Sequence, residues 1–268
     1  MLISDTSTLE ALPTVWLFGQ DICAVTLRQA SEHLLAQAAG LRLAPRIVLT
    51  PNVSNLVRLD RDAEFRELYQ RADYIFADGM PLVWASRCAA RRLPERVTGA
   101  DLFVSLAHGA AERGLPVFIL GGMPGQEAML LARFASIYPG LKVTIFCPSM
   151  QFDPFGEEGR IARDKVNQAG PAMVFVCLTM PKQERWAEAF RDTLETALIF
   201  CVGASMEFAL GFKKRAPLWM QRAGLEWSWR LMSEPRRLWR RYIVEGARFW
   251  TLLRREISVQ RQRRRDAQ

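Results

Sequence analysis

The chain has 268 residues, of which 50% are apolar and 24% are charged. These proportions are typical of a folded globular protein, and they exclude a disordered tail or a collagen-like fibre. A chain of this length can bury a substantial core, either as one α/β domain with an appendage or as two domains.

The positive charge is concentrated at the C-terminal end. Residues 211–268 carry 16 Lys or Arg against 5 Asp or Glu, a local charge of +11, whereas the first 210 residues sum to −3. A basic segment on a slightly acidic body predicts contact with a polyanion. Composition alone leaves three candidates open: a phosphate-rich substrate, an anionic lipid surface or a nucleic acid.

The cysteines and the N-terminus indicate a cytosolic protein. The five cysteines form no C-x-x-C pair and show no disulfide spacing, so we expect them to be reduced and to hold no metal. Residues 1–6 lack the basic and apolar segments of a signal peptide. No stretch approaches the ~20 apolar residues that span a bilayer. We therefore expect any membrane attachment to be peripheral.

Short apolar runs alternate with amphipathic stretches along residues 1–216, and we predict that this part is the catalytic domain. Runs of this kind are typical of parallel strands that are buried on both faces by crossover helices. The pattern predicts an α/β fold, a Rossmann-like parallel-sheet sandwich. The predicted strands are Val15–Gly19, Ile47–Thr50, Tyr74–Ala77, Val117–Leu120, Lys142–Phe146, Met173–Leu178 and Leu198–Val202.

Residues 217–268 are predicted to form a basic, aromatic helical appendage, because strand signals stop and Trp and Arg become frequent. Projecting Arg236 to Ile257 at ~100° per residue separates an apolar face from an arginine face. This pattern favours a helix in an anionic membrane interface. The alternative is a helix that packs its apolar face on the body. The residues predicted to meet the membrane are Trp239, Tyr242, Phe249 and Trp250, together with Arg241 and Arg248.

Polar residues that directly follow the predicted strands are the first candidates for a site. Ligands of open parallel sheets bind beyond the carboxyl ends of the strands. Asp78 follows the third run and precedes a glycine, which suits a general base, but it could equally cap the helix that starts near Pro81. Thr50 and Asn52 follow the second run and have the same two interpretations: substrate-orienting groups, or turn and cap residues.

Three other motifs have weaker signals. The segment from Pro181 to Glu184 could present helix N-terminal amides and Lys182 to a phosphate, or could be an ordinary helix start. Gly121-Gly122 could approach a nucleotide, but the G-x-G-x-x-G fingerprint is absent, which disfavours a nicotinamide enzyme. Asp60-Arg61-Asp62 matches a metal-binding D-x-D pattern. We predict that it lies within a helix over Leu56–Arg71, where a solvated face is the favoured interpretation.

Several segments together resemble the WecG/TagA/CpsF glycosyltransferases of bacterial envelope and exopolysaccharide synthesis. The similarity covers roughly Val15 to Tyr242, and the order and spacing of the segments make it specific. They are Thr50-Pro51-Asn52, Ala77-Asp78-Gly79-Met80-Pro81, Glu95 to Asp101, Leu120-Gly121-Gly122, Pro181-Lys182-Gln183-Glu184, Lys214-Arg215-Ala216-Pro217, and Gly224-Leu225-Glu226-Trp227 through Glu234-Pro235-Arg236-Arg237.

The resemblance implies an inverting, metal-independent transfer from a UDP-sugar to an undecaprenyl-diphosphate-linked saccharide, with no cofactor. The enzyme would act peripherally at the cytoplasmic face of the plasma membrane, could form a homo-oligomer, and would complete its site with the appendage. Asp78 matches the proposed base, and Thr50 and Asn52 match the orienting pair. The matched donor-binding residues are Arg96, Gly121, Gly122, Pro181, Lys182, Gln183 and Glu184, with Arg230, Arg237 and Arg240 of the appendage.

Two other classes of protein remain open from the sequence. A nucleic-acid-binding protein would use the basic, aromatic tail to contact phosphates and stack on bases, which leaves the strand-end residues without a role. A sugar-nucleotide-binding protein without turnover would keep those residues. The donor sugar also stays open among N-acetylmannosamine, its uronic acid and glucose.

Overall fold

The computed structural model describes residues 11–40, 44–222, 225–233, 235–236 and 246–266. The strands are β1 Thr14–Leu17, β2 Gln20–Cys23, β3 Arg46–Leu49, β4 Tyr74–Ile75, β5 Val117–Gly121, β6 Val143–Phe146, β7 Met173–Cys177 and β8 Leu198–Cys201. The helices are α1 Leu27–Ala39, α2 Val53–Arg61, α3 Ala63–Gln70, α4 Met80–Ser86, α5 Gly99–Arg113, α6 Glu127–Ile137, α7 Glu157–Ala169, α8 Lys182–Phe190, α9 Ser205–Ala209, α10 Leu218–Arg222, α11 Glu226–Ser233 and α12 Gly246–Asp266.

Six strands form one parallel sheet in the order β4-β3-β8-β7-β5-β6. The central strands β5, β7 and β8 are almost wholly buried, which explains their continuous apolar sequences. The predicted α/β fold with a parallel sheet is confirmed. All six strands run the same way, so their carboxyl ends lie along a single edge.

The first apolar run was wrongly predicted to join this sheet. Val15–Gly19 instead contributes β1 and the turn of an antiparallel hairpin with β2. Phe18 and Gly19 form that turn with φ values of 53° and 76°, the left-handed conformation that two-residue hairpins require. Only these two residues separate β1 from β2, which leaves no room for a crossover helix. β1 therefore pairs with its neighbour in sequence.

The predicted helix over Leu56–Arg71 is two helices that meet at Asp62. Asp62 ends α2 and caps α3, because its Oδ1 accepts a hydrogen bond from the Phe65 backbone N–H at 3.0 Å. Its Oδ2 also pairs with Arg58 at 2.9 Å. The hydrogen bond from Phe65 holds the pKa of Asp62 below its ordinary value. A helix cap and an ion pair therefore account for this carboxylate.

Each face of the sheet is covered by helices around its own apolar cluster. One cluster joins α1, α5 and α6 to the sheet through Leu34, Leu106, Leu130 and Phe175. The other cluster includes residues of α2, α3, α7 and α8, among them Leu56, Phe65, Val166 and Trp186. The molecule is thus a three-layer α/β/α sandwich whose two sheet faces are closed to ligands.

Helix α12 packs against the body next to α2 and α4. Phe249 is 5% exposed, lies 6.1 Å from the ring of Phe18, and belongs to the second apolar cluster. The prediction that Phe249 meets the membrane is therefore wrong, and the alternative of packing on the body holds for this residue. Helical periodicity cannot separate the two cases, since both need one apolar face. Trp250 is 61% exposed and Arg248 is also exposed.

No helix in the part of the chain that the structure describes has the length and apolar character needed to cross a bilayer. The remaining residues of the predicted membrane face, Trp239, Tyr242 and Arg241, lie outside the described residues.

We expect Phe249→Ala to lower the free energy of unfolding by about 3 kcal/mol, because it leaves a cavity under α12. The matched control is Trp250→Ala at the next, exposed position, which should change it by less than about 0.5 kcal/mol. Chemical denaturation of both variants measures the difference. A larger loss for Trp250→Ala than for Phe249→Ala would contradict the docking of α12 described here.

Candidate active site

A cavity of about 780 Å³ lies at the carboxyl edge of the parallel sheet. Its walls include residues that follow all six strands. These are Thr50 after β3, Asp78 after β4, Gly122 after β5, Pro148 after β6, Thr179 after β7 and Val202 after β8. The cavity is large enough for a nucleotide-sugar. It lies where the topology of an open parallel sheet places ligands.

Asp78 stands at this edge three residues beyond Ile75, the last residue of β4, and it is half-buried. Its backbone N–H donates to the carbonyl of Pro51 at 3.0 Å, which ties the end of β4 to the end of β3. The N-cap residue of α4 is Gly79, with φ of 141°, and not Asp78. The N-cap position of α4 therefore does not account for Asp78, which lines the cavity.

Thr50 and Asn52 line the same cavity beside Asp78. Asn52 is also the N-cap of α2, because its side-chain oxygen accepts from the Ser54 N–H at 3.0 Å. The cap interpretation is thus correct for Asn52, and it fixes the orientation of the amide at the cavity wall. Thr50 lies close to the start of α5, where a Cβ on Gly99 would come within 2.8 Å of the Thr50 Oγ1. Only a glycine lets that helix approach so closely.

Gln183 and Glu184 form the wall at the start of α8, and both are buried. The Gln183 Oε1 accepts from the Gly203 N–H at 2.9 Å, and its Nε2 donates to the Glu184 Oε1 at 3.0 Å. The side chain of Gln183 therefore connects the loop after β8 to the carboxyl group of Glu184. Burial raises the pKa of Glu184 above its ordinary value, although the hydrogen bond from Gln183 opposes the shift.

The floor below these residues was not predicted from the sequence. Asn55 donates from its Nδ2 to the Tyr69 hydroxyl at 3.0 Å, and its Oδ1 accepts from the Asn52 N–H at 3.1 Å. Tyr69 is fully buried, and burial raises its pKa well above the ordinary value. The signal for Asn55 was its spacing of three from Asn52, which is that of a capping box. Tyr69 offered no such signal within an amphipathic helix.

The two glycines after β5 differ in their roles. Gly122 lines the cavity, whereas Gly121 is the last residue of the strand and is not part of the cavity wall. A Cβ on Gly121 would lie 2.7 Å from the Cβ of Cys177 on the adjacent strand. The packing of β5 against β7 thus requires this glycine.

Lys182 lies at the rim of the cavity, while the adjacent Pro181 caps α8 and is not part of the wall. The Lys182 Nζ donates to the carbonyl of Met150 at 3.4 Å. Lys213 also lines the cavity, where it pairs with Glu207 at 2.5 Å. Glu207 thus offsets the charge of Lys213, and Lys182 brings positive charge to the cavity wall.

Arg96 is directed toward the start of the appendage and does not line the cavity. Its guanidinium donates to the Glu226 carboxylate at 2.6 Å and to the Gln221 Oε1 at 2.7 Å. The Arg96 and Glu226 side chains are only 15% and 14% exposed, so this ion pair is shielded from solvent. The structure therefore shows Arg96 connecting the body to α10 and α11. Its predicted contact with the donor stays a prediction.

Arg215 belongs to the same charged cluster. It forms an ion pair with Asp101, and its Nη2 lies 3.7 Å from the Glu226 carboxylate. Burial lowers the pKa of Arg215, but the hydrogen bond and charge of Asp101 reverse this and raise it, with a further contribution from Asp78. A fixed guanidinium is therefore within electrostatic reach of Asp78.

Three appendage arginines cannot be placed against the cavity. Arg230 belongs to α11, but its side chain lies outside the described part of the structure, as do Arg237 and Arg240 altogether. Their predicted contact with a diphosphate stays a prediction.

No cluster of three or more His, Cys, Asp or Glu residues capable of holding a metal ion occurs among the described residues. The five cysteines are not in disulfide bonds. Cys177 lines the cavity, but burial raises its pKa to about 12, so its thiol stays protonated. The thiolate is the nucleophilic and metal-binding form, so Cys177 is not suited to either role.

A half-buried acidic residue in a cavity at the carboxyl edge of an open parallel sheet is the arrangement of an α/β protein with a candidate active site at the ends of its strands. Comparison with known proteins identifies the family. Residues 15–264 match the model of the "Glycosyl transferase WecG/TagA/CpsF family". The chain belongs to this family, and it is a glycosyltransferase.

A relative of known activity comes from Bacillus subtilis (strain 168). It is an N-acetylglucosaminyldiphosphoundecaprenol N-acetyl-beta-D-mannosaminyltransferase, and it is 28% identical over 225 residues, which cover 84% of each chain. The resemblance seen in the sequence motifs is therefore confirmed, and it extends over almost the whole chain.

Proposed function

We propose that the protein transfers a sugar from a UDP-sugar to an undecaprenyl-diphosphate-linked saccharide, with inversion at the anomeric carbon and without a metal ion. The position of Asp78 carries this proposal. Asp78 is half-buried and lines the cavity at the carboxyl edge of the sheet, as do Thr50, Asn52 and the buried Gln183.

In the proposed reaction Asp78 is the general base. An acceptor hydroxyl attacks the anomeric carbon from the face opposite the diphosphate, and the bond between that carbon and the phosphate oxygen breaks. Asp78 takes the proton of the hydroxyl, and UDP leaves with the bonding electron pair. General-base assistance of this kind contributes about 10²–10⁴-fold to a rate. Thr50 and Asn52 would hold the reacting hydroxyls in place.

The departing UDP gains negative charge, which the protein must stabilise if no metal is bound. Lys182 brings positive charge to the cavity wall, and α8 begins at this wall, so the partial positive charge of its N-terminal end adds to that of the lysine. In this proposal Arg230, Arg237 and Arg240 complete the site when the appendage closes over the diphosphate. Guanidinium groups suit this role because they bind phosphate oxygens bidentately.

The rim of the cavity also supports a lipid-linked acceptor. Three large apolar side chains are more than half exposed there: Met123, Met150 and Phe212. Exposed apolar groups beside lysines are suited to contact with a lipid surface. We propose that the protein works peripherally at the cytoplasmic face of the membrane, with residues 217–268 as the appendage that completes the site. The Bacillus subtilis relative makes UDP-N-acetylmannosamine the first donor to assay.

We expect Asp78→Asn to lower turnover at least about 100-fold, because the amide cannot accept the proton. Turnover is measured as UDP released from UDP-N-acetylmannosamine with a short-chain polyprenyl-diphosphate N-acetylglucosamine acceptor. UDP-sugars of the uronic acid and of glucose are run in parallel. Binding of the donor should change little, since the shape of the side chain is kept.

The matched control is Asp164→Asn on α7, where the carboxylate is 64% exposed and pairs with its neighbour Arg163. This variant should keep full turnover. Near-normal turnover of Asp78→Asn would remove Asp78 as the base. A wild-type protein that releases no UDP with any donor, yet binds nucleic acid tightly with a steep salt dependence, would support the nucleic-acid-binding alternative instead.

Addition of a chelator should leave the rate of UDP release within about twofold of its starting value, because lysines and arginines take the place of a metal in this proposal. Asp60 and Asp62 are the carboxylates to reconsider if the rate falls clearly and returns with added Mg²⁺ or Mn²⁺. In that case the variant Asp60→Asn would show whether they hold the ion.

A further inference from the structure

Four charged side chains connect the body to the start of the appendage. Arg215 forms an ion pair with Asp101 of α5, and Arg96 donates to Glu226 of α11 at 2.6 Å. The Nη2 of Arg215 also lies 3.7 Å from the Glu226 carboxylate, which joins the two pairs. The result is one group of two arginines and two carboxylates whose charges balance. We call these four residues the junction cluster.

The junction cluster is charged and partly shielded from water. The side chains of Arg215 and Asp101 are about three-quarters buried, and those of Arg96 and Glu226 are buried further. Burial alone would raise the pKa of Asp101 and lower that of Arg215, but their hydrogen bond and opposite charges reverse both shifts. Both groups therefore stay ionised at neutral pH. Shielded ion pairs need good geometry to offset their lost hydration, so this cluster favours one position of α11.

Gln221 extends the junction cluster to α10. Its Oε1 accepts from the Arg96 Nη2 at 2.7 Å, and its Nε2 donates to the carbonyl of Ala216 at 2.7 Å. The side chain of Gln221 is buried, and the two hydrogen bonds use both ends of its amide. Arg96 thus contacts α10 and α11 at once, through Gln221 and Glu226.

The large apolar side chains of α10 and α11 contribute less to this contact. Trp219 of α10 and Met232 of α11 are each 65% exposed, and Leu225 just before α11 is also exposed. Met220 does pack inward. Buried polar groups combined with exposed large apolar groups are an unusual arrangement for a surface helix. Ion pairs and hydrogen bonds, more than apolar burial, therefore fix where α10 and α11 lie.

We propose that Arg215 and Glu226 are positioning residues, which hold α10 and α11 so that the arginines of the appendage reach the diphosphate of the donor. This inference rests on the proposed function, and it adds two residues that do not line the cavity. Arg230 occupies the helical position four residues after Glu226, and positions with this spacing share one face of a helix. Fixing Glu226 against the body therefore also fixes where α11 places position 230.

The functional test is calorimetric titration of the full-length protein with UDP-N-acetylmannosamine. Arg215→Met removes the charge and keeps most of the length of the side chain, and Glu226→Gln removes the charge and keeps the shape. Each variant should bind at least about tenfold more weakly, because a charged hydrogen bond from the appendage to the diphosphate is lost. The double variant should bind within about twofold of the weaker single variant, since both residues act through one cluster.

A second ligand separates positioning from general damage to the cavity. Uridine lacks the diphosphate, so Arg215→Met and Glu226→Gln should bind it within about twofold of the wild type in ligand-detected NMR titrations, while their binding of UDP is weakened. Arg215→Lys keeps a positive charge beside Asp101 and should bind UDP more tightly than Arg215→Met.

Arg191→Met is the matched control. Arg191 pairs with Asp73 at 2.7 Å, and these two side chains are buried to about the same extent as those of Arg215 and Asp101. Asp73 directly precedes β4, so this pair lies at the edge of the sheet opposite the cavity. The control should lose thermal stability much as Arg215→Met does, yet bind UDP-N-acetylmannosamine within about twofold of the wild type, because its site is distant.

Hydrogen exchange tests the junction cluster without any ligand. The amides of α10 and α11 should exchange at least about tenfold faster in Arg215→Met than in the wild type, while the amides of β5 and β7 keep their rates. Unchanged exchange in α10 and α11 would overturn the inference. If Arg215→Met does not fold, Glu226→Gln and Arg215→Lys take its place in each comparison.

The outcomes separate this inference from the proposed function. Wild-type affinity for UDP in both charge-removing variants would overturn the positioning role alone. Equal losses with UDP and uridine, or a loss as large in Arg191→Met, would do the same. A folded wild-type protein that binds no UDP-sugar would overturn the proposed function, and this inference with it.

Discussion

Burial of the parallel sheet on both faces confines polar chemistry to one edge of this protein. Strands β5, β7 and β8 are almost wholly buried between two helix layers, so polar side chains cannot be accommodated within them. Because the strands are parallel, their carboxyl ends lie together, and the chain leaves the sheet there through polar turns. Asp78, Thr50 and Gln183 come from three separate segments, yet this constraint brings them to one cavity.

The same constraint explains how much of the site could be predicted from the sequence. An apolar run followed directly by a polar residue shows where a buried strand ends, and this signal singled out Thr50 and Asp78, which both line the cavity. The floor formed by Asn55 and Tyr69 gave no strand-end signal, because these residues lie on helices. The capping-box spacing marked Asn55 only as the cap partner of Asn52, and Tyr69 had no signal. The family motifs added Gln183, whose role depends on a contact with Gly203, 20 residues away in sequence.

The fold could be predicted where the length of a strand and the residues of the following turn allowed only one arrangement of the strand. Six apolar runs became parallel strands, but the first formed a hairpin, since Phe18 and Gly19 take up a tight turn that the apolar pattern does not reveal. Asp62 likewise broke a continuous amphipathic pattern by capping the second of two helices. For α12 the apolar face was predicted correctly, but the surface that it contacts at Phe249 was not, because Phe249 packs on Phe18. Periodicity shows that a face is apolar and not what covers it.

A crystal structure of the protein with bound UDP tests most directly whether this edge is the place of sugar transfer. We expect the diphosphate to lie at the start of α8 and the nucleotide to contact Gln183 and Glu184. The part of the cavity near Asp78 should stay open. A UDP molecule bound at the opposite edge of the sheet, or beside Asp60 and Asp62 with the cavity closed to it, would contradict the account.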